Sequence, residues 1–71
     1  MRISEVKRNL ERIVMYNGKK YVMKGCIIRR AITGDFFYQA ELLDITAKSS
    51  LVIAELIEVN ELDKEVNNVN L

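Results

Sequence analysis

The sequence contains no His, no Pro and no Trp, and only one Cys among its 71 residues. A single Cys forbids an intramolecular disulfide framework, and without His it cannot complete a Cys/His zinc site. The absence of His also removes the usual general base of enzymes and the usual change of charge near neutral pH. We therefore predict no metal and no cofactor, and expect so small a fold to depend on good packing and self-association.

Long apolar segments are missing too. No run approaches the roughly 18 apolar residues that cross a bilayer, and the first five residues lack the apolar segment of a secretory signal. We therefore expect a cytoplasmic protein without a membrane partner. Disorder is not expected, because 49% of the residues are apolar and the net charge is only +1.

Sequence features that carry catalysis are also absent. There is no Gly-rich phosphate loop and no Walker-type sequence. Cys26 has no His to activate it, so a small buried thiol is expected there rather than a nucleophile. A solvated sheet face accounts for the acidic residues of the predicted strands better than a catalytic pair does. We predict that the protein is not an enzyme.

The spacing of apolar residues predicts a short helix followed by strands. Val6 and Leu10 recur at helical spacing behind Ser4, a suitable N-cap, which places a helix within residues 1–12. The pair Asn17-Gly18 is typical of a two-residue hairpin turn, and Gly34 marks a second turn. The predicted strands are 13–16, 20–31, 36–45 and 51–59.

These elements predict a mainly β protein of one domain. A short N-terminal helix (1–12) is followed by a four- to five-stranded antiparallel meander (13–59) and a tail (60–71) to which no role is assigned. Short twisted strands, with Gly25 available as a bend, favour a small SH3-like barrel or a highly curved sheet. An open four-stranded sheet with the helix on one face is the alternative.

Strand alternation assigns the residues to two faces. The predicted core face contains Val14, Tyr16, Tyr21, Met23, Gly25, Ile27, Phe36, Tyr38, Ala40 and Leu42. The other face carries Ile13, Met15, Val22, Cys26, Ile28, Phe37 and Leu43 between Lys24, Arg30, Gln39 and Glu41. That face is too apolar to be simply solvated, so we expect it to contact a partner. The candidate residues of an interface between copies of the chain are Val22, Ile28, Phe37, Leu43, Val52 and Leu56.

Charge is divided unevenly along the chain. Residues 1–30 hold nine Lys and Arg against two Glu, and residues 31–71 hold two Lys against eight Asp and Glu. This asymmetry is typical of an anion-binding end, or of basic strands that pair with acidic ones. Guanidinium and aromatic groups suit stacking on a base or docking of a peptide. The candidate binding residues are Lys19, Lys20, Lys24, Arg29, Arg30, Phe37 and Tyr38.

Three segments of the chain carry a resemblance to a known group of proteins. They are 16–21 (Tyr-Asn-Gly-Lys-Lys-Tyr), 25–30 (Gly-Cys-Ile-Ile-Arg-Arg) and 34–42 (Gly-Asp-Phe-Phe-Tyr-Gln-Ala-Glu-Leu). Together they resemble short proteins of phages and prophages of Gram-positive bacteria. The resemblance implies an accessory role in a mobile element, and it assigns no activity and no functional residue.

These observations favour a non-enzymatic binding module. We expect it to self-associate through an apolar face and to sequester a host protein or a small anionic ligand. Two alternatives stay open. One is a nucleic-acid-binding protein that uses the basic N-terminal half, and the other is a structural or assembly component.

Overall fold

A computed structural model describes residues 1–47 and 49–62, which form one antiparallel sheet with a short helix on one side. A 3-10 turn, Ile3–Glu5, leads into helix α1, Val6–Asn9. The strands are β1 Ile13–Tyr16, β2 Lys19–Arg30, β3 Phe36–Asp44, β4 Leu51–Glu55 and β5 Asn60–Glu61, and a second 3-10 turn, Leu56–Glu58, separates β4 from β5. The spatial order is β4-β3-β2-β1-β5. The predicted mainly β class is confirmed. The sheet is open, so the barrel form of that prediction is not what these residues adopt.

The N-terminal helical segment is shorter than the predicted 1–12. It begins at Ile3 rather than after Ser4, and the Glu5 carboxylate accepts a hydrogen bond from the Arg2 amide at 2.7 Å. It ends at Asn9, because Leu10 is extended and Glu11 adopts a left-handed conformation with φ 65°. A left-handed residue just beyond a helix stops its propagation.

The two predicted turns are present. Asn17 and Gly18 both have positive φ, 52° and 73°, as a type I′ hairpin turn requires. Tyr16 and Lys19 face each other across this turn. Gly34 has φ 94°, and its amide donates to the carbonyl of Ala31 at 2.9 Å, which closes the second turn.

β2 contains a bulge at Lys24. Met23 faces Leu42, but the next paired residue is Gly25, which faces Glu41, so Lys24 is the extra residue between them. One inserted residue reverses the alternation of every side chain that follows it.

The bulge exchanges the predicted faces in the second half of β2. Gly25 and Ile27, predicted on the core side, lie on the opposite side instead. Cys26, Ile28 and Arg30 show the reverse error, and they lie on the core side of the sheet. The sequence pattern missed this because Gly25 predicts a bend but not the number of residues that oppose it.

The last predicted strand, 51–59, is too long. β4 stops at Glu55, and the chain turns through 3-10 geometry so that Leu56 and Val59, three residues apart, both become buried. Asn60 and Glu61 then pair with β1 as a fifth strand instead of belonging to a tail. The rest of the predicted tail, 63–71, lies outside the described residues.

The core lies between the sheet, helix α1 and the turn after β4. Its members are Val6, Val14, Tyr21, Met23, Ala40, Leu42, Ala54, Leu56 and Val59. The side of the sheet that faces away from this core, called the open face below, includes Ile13, Val22, Leu43, Leu51 and Ile53. None of the described elements packs a layer on the open face, which gives the molecule its slab-like extents of 43 × 31 × 19 Å.

Candidate protein-docking surface

β2 and β3 are longer than the strands beside them, and their outer halves project as a two-stranded hairpin. β1 pairs with β2 only as far as Val22, and β4 pairs with β3 only from Gln39 onward. We call residues 25–38 the hairpin arm. A two-stranded ribbon without a third layer is marginally stable in water by itself.

The arm exposes large apolar side chains. Ile28 and Phe36, both on the core side of the sheet, are each 64% exposed, and Ile32 at the tip is fully exposed. Cys26 and Tyr38, nearer the base of the arm, are half-buried against the core. The core surface therefore continues outward along the arm and becomes solvent-exposed there, which is typical of a partner surface.

A shallow groove adjoins the base of the arm. It has a volume of about 580 Å³ and runs between the N-terminal segment and the arm. Phe37 and Tyr38 line it from β3, and Ile3 and the exposed Ile57 line it from the opposite side. Its apolar walls extend the apolar surface of the arm.

The outer edge of β2 is free along the arm in the part of the chain that the structure describes. Met23 exchanges backbone hydrogen bonds with Glu11 and Arg12 at 2.7 and 3.0 Å, so its peptide groups point toward β1. At the other end of the strand Ala31 donates to Asp35 of the β3 side at 2.8 Å. Because peptide groups alternate along an antiparallel strand, those of Cys26, Ile28 and Arg30 point outward, away from β3.

Gly25 opens a space on the open face beside this edge. The Glu41 carboxylate lies over Gly25, and a Cβ at that position would overlap its Oε1 atom. Glycine therefore lets an acidic group of β3 reach across β2 toward the free edge.

The structure does not gather the predicted binding residues into one basic groove. Several of the cations are engaged within the chain, since Lys19 pairs with Asp44 at 3.1 Å and Lys24 pairs with Glu11 at 2.8 Å. Arg29 donates to Gln39 Oε1 at 2.7 Å. The remaining members are dispersed, with Lys20 in the β1–β2 hairpin, Arg30 near the tip of the arm, and Phe37 and Tyr38 on opposite faces of β3.

Half of the predicted interface residues lie together on the open face. Val22 and Leu43 face each other there, and Phe37 lies farther along β3. Ile28 is exposed but lies on the other side of the sheet, because of the bulge. Val52 is partly buried and packs on the core side, so its place in an interface stays a prediction, whereas Leu56 is only 3% exposed and its assignment to a surface was wrong.

A buried polar cluster that the sequence analysis missed joins α1 to β5. Glu61 is buried and accepts two hydrogen bonds from the Arg8 guanidinium, at 2.9 and 2.8 Å. Asn9 donates to the same carboxylate at 2.8 Å and to the carbonyl of Glu5 at 2.8 Å. These donors lower the pKa of Glu61 to about 2. The sequence shows only the neighbouring pair Glu5 and Arg8, three residues apart. Glu61 lies 53 positions from Arg8, so no local pattern indicated their contact.

Two further groups have shifted pKa values for structural reasons. Asp44 accepts hydrogen bonds from the hydroxyl and amide of Thr46, at 2.7 and 2.8 Å, and from Lys19, which together hold the pKa of its carboxyl well below its ordinary value. Partial burial raises the pKa of the Cys26 thiol. A raised pKa leaves less of the reactive thiolate at neutral pH.

Within residues 1–47 and 49–62, no three or more Asp, Glu or Cys side chains are grouped so as to hold a metal ion. The helix that these residues form falls well short of the length and apolarity of a membrane span. Comparison of the chain with protein-family models, with curated proteins and with solved structures finds no match.

Proposed function

We propose that this chain is a small non-enzymatic binding module that docks on protein surfaces through its hairpin arm and associates with itself. The observation that carries the proposal is the projection of the arm beyond β1 and β4 with Ile28 and Phe36 each 64% exposed. Because each side chain is 64% exposed, burying the remainder against a partner contributes about 1–2 kcal/mol each before the costs of association.

A protein partner is favoured over a small anion. The cations of the predicted anion site are partly satisfied by Asp44, Glu11 and Gln39, whereas three apolar side chains of the arm are largely exposed, namely Ile28, Ile32 and Phe36. The resemblance to phage proteins adds the expectation that the partner is a host protein in the cytoplasm. That source and that location stay predictions.

The test is light scattering of the purified protein at concentrations up to about 100 μM, a range that detects weak association. The variant Ile28→Ser/Phe36→Ser should dissociate to monomers. The matched control is Leu51→Ser, because Leu51 is 59% exposed but lies on β4, away from the arm. A monomeric wild type, or an equal loss of association in the control, would contradict the proposal.

The same proteins separate this proposal from nucleic-acid binding. Electrostatic binding to single-stranded DNA weakens by orders of magnitude as salt rises. Association through the apolar arm should persist or strengthen under those conditions. Complexes with DNA that disappear at moderate salt, formed by a wild-type monomer, would support the nucleic-acid alternative instead.

A further inference from the structure

We infer that a second copy of this chain pairs with the free edge of β2, antiparallel and centred on Ile27, so that Arg29 of each copy meets Glu41 of the other. This inference rests on the proposed self-association and specifies where it occurs. The partner is identified by the match between the edge and itself, in hydrogen bonding and in charge.

Hydrogen bonding restricts the register. Two copies of one strand related by a twofold axis pair antiparallel, and residues that exchange hydrogen bonds must both present outward peptide groups. Cys26, Ile28 and Arg30 have that orientation. When Cys26 of each copy pairs with Ile28 of the other, both residues of the pair present outward peptide groups and can exchange hydrogen bonds. In this register Ile27 lies opposite Ile27 of the other copy, on the twofold axis. A register shifted by one residue would bring an outward peptide group against an inward one.

Charge selects this register over the next permitted one. In the register centred on Ile27, Arg29 lies opposite Gly25 of the other copy, on the open face. The Glu41 carboxylate already lies over Gly25, so the guanidinium, which within the described residues donates only to the uncharged Gln39 of its own chain at 2.7 Å, meets an acidic group where no side chain intervenes. In the register centred on Ile28, Arg29 instead lies opposite Ile27, whose neighbour on β3 is the uncharged Gln39.

The length of β2 edge that β1 leaves free also fits this register. β1 blocks the edge as far as Met23, so an incoming strand has room from Lys24 to the tip of the arm. Arg30 of the other copy would lie opposite Lys24, a like charge that Glu11 neutralises at 2.8 Å. The pairing would join the two sheets into one and give each arm a third strand, the minimum that stabilises a ribbon in water.

The decisive experiment mixes two charge variants, Arg29→Glu and Glu41→Lys. Each variant alone replaces both attractive pairs of the dimer with repulsive ones, which should raise the dimer dissociation constant about 100-fold. A mixture restores both pairs. The carboxylate introduced at position 29 of the first variant faces the ammonium introduced at position 41 of the second, and the unchanged Arg29 of the second faces the unchanged Glu41 of the first. We expect two monomeric variants to form a heterodimer when combined, measured by light scattering, with circular dichroism as the check that each is folded.

Cross-linking tests the register without relying on charge. In a Cys26→Ser background, Ile27→Cys places two thiols on the twofold axis, with Cα atoms about 4.5 Å apart, within the range of a disulfide. The matched variant Ile28→Cys places its Cα atoms about 7–8 Å apart, beyond that range. Oxidation should cross-link the first variant rapidly and the second slowly.

The outcomes distinguish this inference from the proposed function. A wild-type dimer in which Ile27→Cys fails to cross-link and the charge variants do not complement each other would overturn the edge pairing while leaving association through the apolar face of the arm. A wild-type monomer would overturn both.

Discussion

The Glu61 cluster gives a prediction that the structure specifies in detail. Glu61→Gln keeps the shape of the side chain but removes the charge that binds Arg8 through two hydrogen bonds. A hydrogen bond to a charged group contributes about 1.5–3 kcal/mol. The Arg8 side chain is 64% exposed, so water hydrates its guanidinium again when the Arg8–Glu61 ion pair is broken. The free energy lost with both hydrogen bonds together should therefore lie in the lower part of that range. We expect a decrease of about 2 kcal/mol in the free energy of unfolding.

A loss of that size is large for so short a chain. A change of about 1 kcal/mol moves the melting temperature of a 60–100-residue domain by about 4–8 °C. Thermal and urea denaturation followed by circular dichroism will measure it at pH 7. The matched control is Glu58→Gln, because Glu58 is an exposed carboxylate in the turn that precedes β5.

The pH dependence gives the same prediction a second, independent test. The folded state lowers the pKa of Glu61 from 4.5 to about 2, so its contribution is complete above 4.5 and is lost as the pH falls toward 2. The stability gap between wild type and Glu61→Gln should therefore narrow through that window. A gap that stays constant with pH, or a Glu58→Gln variant that loses as much stability, would refute the assigned role of the charge.

Two further predictions concern the core and the first turn. Met23→Ala should cost about 2–5 kcal/mol, because Met23 is fully buried, whereas Met15→Ala on the half-buried open face should cost much less in the same urea titrations. Equal losses would mean that the core does not lie where the structure places it. Gly18→Ala should cost about 1–2 kcal/mol from backbone strain alone, because φ is 73° and no atom lies within 4 Å of the added Cβ. An unchanged denaturation midpoint would show that the turn is not of this type.

The turns and the first half of the sheet were predictable from the sequence for simple reasons. Asn17-Gly18 suits one turn type, and alternation around it correctly placed Val14, Tyr21 and Met23 in the core. These signals are local, since each depends on a few adjacent residues.

The errors arose where the structure depends on contacts between distant residues. The bulge at Lys24 is defined by the register against β3, and Gly25 alone does not show it. The end of β4 was missed because an apolar run from Leu51 to Val59 fits a strand as well as a strand followed by a tight turn. The partner of Arg8 was missed because Glu61 lies in a segment that carries no periodic pattern.

The sequence predicted that apolar side chains would be exposed, but not that they would lie on a projecting hairpin arm. An excess of apolar surface was inferred from counting residues on two faces, and the structure does leave apolar side chains exposed. Ile28 and Phe36 project on the arm because β1 and β4 are short, and strand length sets that exposure more directly than hydrophobicity does.

The bulge also decides which residues of β2 lie on each side of the arm, without moving the residues of β2 that belong to the core. If β2 continued beyond Met23 in unbroken pairing with β3, Ile27 would face Tyr38 and Arg29 would face Phe36, while Tyr21 and Met23 kept their positions. Ile27 and Arg29 would then face Tyr38 and Phe36 in place of Ile28 and Arg30, so the two sides of β2 in the arm would exchange their side chains. A single inserted residue therefore reverses the sides of β2 in the projecting part of the molecule without moving the part that holds the fold together.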